Sequence, residues 1–85
     1  MTRLSPKQFI VLAAVSRFGD RGASSTAIRD RIHEEFRTWL SDSGLLLVLG
    51  ELRQLGLIAR EPEDGDGIIY RCTAIGRLRM LGHSL

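Results

Sequence analysis

Leu57-Ile58-Ala59-Arg60-Glu61-Pro62-Glu63-Asp64-Gly65-Asp66-Gly67-Ile68-Ile69-Tyr70-Arg71-Cys72 is the stretch whose reading decides the fold. Residues 57–61 and 68–72 are short runs rich in β-formers, and the residues between them are almost pure turn chemistry. A β-hairpin is predicted. Two strands alone are marginal in water, so the hairpin must lay an apolar face against other elements. Everything upstream of Gly56 supplies helices for that purpose.

Leu4-Ser5-Pro6-Lys7-Gln8-Phe9 contains a cap (Ser5), a proline suited to the first helical position and a glutamine three residues after the cap. Leu4 and Phe9 have the spacing of a hydrophobic staple, and a helix should run to about Arg17 with Phe9, Leu12 and Ala13 inward. Gly19-Asp20-Arg21-Gly22 breaks it. Ser24 or Ser25 can cap a second helix in which Ile28, Ile32 and Phe36 recur every four residues, with Arg31 and Glu35 pairing across the exposed side. After Trp39, read as core, Ser41-Asp42-Ser43 offers caps for a third helix with Leu45, Leu49 and Leu52 on one face and Gly56 at its end. Gly44 and Gly50 lie within it; close backbone approach is one reason for a helix to tolerate glycine, loose packing another. Beyond the hairpin, Thr73 can cap a short last helix with Ala74, Ile75, Leu78 and Leu81 inward, weakened by Gly76 and Gly82.

Helix, helix, helix, hairpin, helix is the winged helix-turn-helix arrangement: mainly α with a small β-hairpin, three helices, a two-stranded wing and a short C-terminal helix, in one domain over 1–85. The residues also resemble the PadR-like transcriptional regulators. The 4–12 stretch looks like that family's opening helix, Ala27-Ile28-Arg29-Asp30-Arg31-Ile32 like its second, Leu49 through Leu55-Gly56-Leu57-Ile58 like its third helix running into the wing, and 70–77 like the return strand and final helix start. The resemblance implies a DNA-binding regulator whose third helix enters the major groove while the wing touches the backbone or minor groove.

Composition bounds the alternatives. An 85-residue chain with 44% hydrophobic and 26% charged residues is expected to fold on a single core. The longest apolar run, Leu45–Leu49, is too short to cross a bilayer, and the start of the chain has no secretory apolar region, so a soluble cytoplasmic protein is expected. Cys72 is the single cysteine, excluding an internal disulfide, and with His33 and His83 it forms neither zinc spacing nor a nucleophile motif. No enzyme, metal or cofactor is expected, and Asp64-Gly65-Asp66-Gly67 reads as a turn, not a calcium loop.

Net charge is +2, unevenly spread: residues 1–40 carry seven basic and four acidic groups, 41–66 two and six, and 67–85 three and none. The candidate DNA contacts are Ser41, Ser43 and Arg53 on or before the third helix, Arg29 and Arg31 on the second, and Arg60 and Arg71 on the wing strands. Glu61, Glu63, Asp64 and Asp66 put negative charge near the hairpin tip, which phosphate would repel. Leu46, Leu47 and Val48 stand where base-reading groups would be, and aliphatic chains read little beyond a thymine methyl. Two functions follow: duplex DNA binding through phosphate contacts, or a protein-interaction module, a homodimer or an inhibitor of phage type, that uses this apolar third helix as its interface.

Overall fold

The computed structural model describes residues 3–62 and 67–83. Each helix begins where a hydroxyl accepts a hydrogen bond from an amide that the helix leaves unsatisfied. Ser5 Oγ accepts from the Gln8 amide at 3.2 Å while Gln8 Oε1 accepts from the Ser5 amide at 2.9 Å, a capping box that starts α1 (Pro6–Ser16). Ser24 caps α2 (Ser25–Phe36) through the Ala27 amide, and Ser41 caps α3 (Asp42–Gln54) through the Gly44 amide. Thr73 caps α4 (Ala74–His83): its Oγ1 accepts from the Gly76 amide at 3.0 Å and donates to the Gly56 carbonyl at 2.7 Å, tying the last helix to the end of α3.

α1 is the axis of the core. Val11 through Val15 are five consecutive buried residues, more than a full helical turn, so every side of the helix is covered there. Ile28 and Ile32 of α2, Leu45, Val48, Leu49 and Leu52 of α3, and Leu57, Ile58, Tyr70 and Cys72 of the hairpin complete one cluster around it. The hairpin pairs β1 (Ile58–Pro62) with β2 (Ile68–Cys72) antiparallel, from Ile58 opposite Cys72 to Pro62 opposite Ile68.

The outer edge of β2 is paired as well, which the sequence did not suggest. Ala23 and Tyr70 exchange amide–carbonyl hydrogen bonds of 2.8 and 2.9 Å, fastening the α1–α2 connection to the wing. Gly22 makes the approach possible: at φ +72°, a Cβ there would stand 2.7 Å from the Tyr70 carbonyl oxygen.

Three expectations are corrected. Trp39 is 68% exposed and stacks on His33 with ring centroids 4.0 Å apart, because the chain turns outward between α2 and Leu40, which takes the core position instead. Glu35 closes on Arg17, the C-cap of α1, accepting from its Nε and Nη2 at 2.8–3.2 Å, and not on Arg31, which lies over the Phe18 ring. This hydrogen bond holds the Glu35 carboxyl below its ordinary range. Finally, Ala74, Ile75, Leu78 and Leu81 face outward, and α4 packs inward through Gly76 and Met80.

The reason is steric. A Cβ on Gly76 would overlap the Leu57 carbonyl oxygen and sit 2.8 Å from Cys72 Sγ, so α4 can approach the hairpin only on its glycine side. Gly50 is the opposite case, with nothing within 4 Å of where its Cβ would stand. Gly76→Ala is therefore expected to cost about 1–3 kcal/mol in denaturant unfolding, whereas Gly50→Ala should stabilise by up to about 1 kcal/mol. Equal effects of the two substitutions would contradict this packing.

Candidate nucleic-acid interface

α3 has two sharply different sides. Leu45, Val48, Leu49 and Leu52 point into the core. Val48 is only 6% exposed, so the expectation that it forms an interface with Leu46 and Leu47 is corrected: it lies three residues from Leu45 and four from Leu52, on the inward stripe. Leu46 and Leu47 are 50% and 66% exposed and line a shallow open depression with Gly50, Glu51, Arg53 and Gln54. Glu51 is held toward α1, its Oε1 accepting from Gln8 Nε2 at 3.2 Å.

The candidate polar residues divide into those already engaged and those open to solvent. Ser41 Oγ is occupied as the α3 cap and stands 3.4 Å from Ser43 Oγ, with both residues exposed. Arg29 forms an ion pair with Asp42, which places it beside those serines at the start of α3. Arg71 pairs with Glu61 across the wing, and Arg31 is held over Phe18 at 5.6 Å. Arg53 and Arg60 are exposed and have no ion-pair partner among the described residues. Side chains alternate along a strand, so Arg60, opposite Tyr70, and Arg71, opposite Ala59, stand on different faces of the hairpin. Ser41, Ser43 and Arg29 thus gather at one end of α3 and Arg53 lies at the other, while the two wing arginines are not brought together. Glu63, Asp64 and Asp66, expected to make an acidic tip, lie outside the described residues.

Sequence reading missed Gln54, although its spacing of seven from Leu47 and eleven from Ser43 puts it on the same line of the helix. It also missed the uncovered apolar side of α4. Among the described residues no three His, Cys, Asp or Glu side chains gather in a metal-binding group, and no helix is long and apolar enough to span a membrane. Cys72 is buried, and that burial pushes its thiol pKa up, keeping it in the unreactive protonated form.

Comparison with solved structures defines the architecture. F93 from STIV, a winged-helix DNA-binding protein, superposes with a TM-score of 0.82 at 18% identity, the match covering 98% of this chain and 88% of that one. RosR of H. salinarum matches at 0.80 and 20% identity over 95% of this chain and 71% of its own. Bordetella bronchiseptica BpsR, whose DNA binding is regulated by 6-hydroxynicotinic acid, matches at 0.80 and 19% identity over 95% and 57%. No family model matches the sequence, and no curated protein matches it. The chain therefore has the winged-helix fold.

The buried thiol gives a direct check on the hairpin–α4 contact. Alkylation of Cys72 by iodoacetamide should be at least about tenfold slower in the native protein than in denaturant, since only the exposed thiolate reacts. Equal rates would show that the Cys72–Gly76 contact is open in solution.

Proposed function

We propose that this protein is a winged-helix DNA-binding transcriptional regulator that holds duplex DNA largely through phosphate contacts, with α3 in the major groove and the wing against the backbone. The observation that carries this reading is the outer face of α3. The fold buries one side of that helix completely and leaves the other uncovered at the position where helix-turn-helix proteins insert a helix into the groove. Arg53 on α3 and Arg60 on β1 are the primary phosphate contacts, and Ser43 adds a neutral donor. Arg29 and Arg71 contribute by exchanging their carboxylate partners, Asp42 and Glu61, for phosphate. The resemblance to PadR-like regulators and the likeness to F93, RosR and BpsR support the same reading, and a cytoplasmic location is part of the proposal. A protein-capturing module built on Leu46, Leu47 and Val48 is disfavoured, because Val48 is in the core.

Binding to mixed-sequence duplex DNA should weaken steeply with salt, and Arg53→Ala and Arg60→Ala should each lower the slope of log K against log salt by about one. Salt-insensitive or absent binding in a fluorescence-anisotropy titration would refute the proposal.

A homodimer belongs to this reading, but through α4 rather than α3. Ala74, Ile75, Leu78 and Leu81 form an exposed stripe without a charged residue, a surface that solvated helices seldom present. Light scattering should give twice the chain mass for the wild type and the single-chain mass for Leu78→Glu. A wild-type monomer at micromolar concentration would remove the dimer from the proposal.

A further inference from the structure

The centre of the exposed α3 face carries no charge. Ser43, Leu47, Gly50 and Gln54 recur at i, i+4, i+7 and i+11, which places them on one line along the helix. Leu46 and Arg53 border that line on one side, and on the other Glu51 is drawn away by its bond to Gln8. Such a surface is chemically narrow. In the major groove the apolar group that a base pair displays is the C5-methyl of thymine, while a glutamine amide matches the adenine N6/N7 edge. Leu46, Leu47 and Gln54 thus select the same base pair. Gly50 has no side chain and open space around it, so the helix backbone can come close to the base edges, and Arg53 at the rim has the charge to meet a phosphate.

We infer that α3 reads A·T pairs, with Leu46 and Leu47 seated on thymine methyl groups and Gln54 on adenine. This rests on the proposed placement of α3 in the major groove. The occupant of the apolar face is then the methyl row of an A·T-rich duplex.

The test separates methyl reading from DNA binding as such. Anisotropy titrations would use four alternating duplexes: poly(dA-dT), poly(dA-dU), poly(dG-dC) and poly(dG-5-methyl-dC). The uracil polymer lacks only the methyl, and the methylcytosine polymer gains it in a G·C background. Wild type is expected to prefer thymine over uracil, and methylcytosine over cytosine, by about fourfold for each methyl contacted. The double variant Leu46→Ala/Leu47→Ala, altered only at exposed positions, should lose both preferences to within about twofold and keep its salt-dependent binding. Gln54→Ala should weaken binding to both A·T and A·U duplexes equally. Salt-dependent binding of all four duplexes with no methyl preference, or a preference that survives the double variant, would overturn the inference and leave the proposed function standing. Failure to bind any duplex at low salt would overturn both.

Discussion

The burial of α1 on all sides is the constraint from which the rest of the structure follows. A helix whose residues 11–15 are all inaccessible needs partners on every side, and in an 85-residue chain that demand takes up an apolar face from α2, α3 and the hairpin together. Ala13 and Ala14 keep the axis thin enough for those elements to close around it. Because α1, α2 and β1 together cover the inner face of α3, its outer face is left uncovered. The exposed side of α3 is thus a consequence of core geometry.

Capping and turn signals were faithful, although the local Arg31–Glu35 pairing gave way to Arg17. Ser5, Ser24, Ser41 and Thr73 all cap helices, since a hydroxyl two or three residues before an amide satisfies it whatever the tertiary surroundings. The hairpin likewise followed from turn chemistry between two β-forming runs. Facing was harder to read. Period alone gives α4 two candidate faces, one of Ile75, Leu78 and Leu81 and one of Gly76 and Met80, and hydrophobicity favours the wrong one. The Leu57 carbonyl decides, by admitting only a residue without a Cβ, and that contact spans nineteen positions of sequence. Trp39 was misplaced by one position: its neighbour Leu40 is the residue that enters the core. The Ala23–Tyr70 bridge had no periodic signature, although a glycine immediately before it was a signal of close backbone approach.

Charge also reads differently in space than along the chain. Counted by segment, residues 41–66 repel phosphate. In three dimensions Asp42 is paired with Arg29 from α2 and Glu61 with Arg71 from the facing strand, so two of the described acidic groups carry their own counterions, and a third, Glu51, is bound by Gln8. Exposed ion pairs of this kind contribute at most about 1 kcal/mol to stability. They are therefore weak enough for a phosphate to displace the carboxylate. Arg53 and Arg60 need no such exchange. The candidate site residues legible in the sequence thus fall into an immediate set and a conditional set, a division that spacing could not express.

The same weakness governs how such a protein would achieve selectivity. A few phosphate contacts give affinity that is indifferent to sequence and falls steeply with salt. Methyl contacts discriminate, but each by a modest factor, because burying one methyl is worth only about 0.8 kcal/mol. One α3 with two leucines and one glutamine therefore cannot separate a site from bulk DNA by much. Linking two such helices multiplies their discrimination and makes the second contact effectively intramolecular. The uncovered α4 stripe of Ala74, Ile75, Leu78 and Leu81 would fit that requirement: under the proposed reading it serves a second copy, and the outer face of α3 serves the groove.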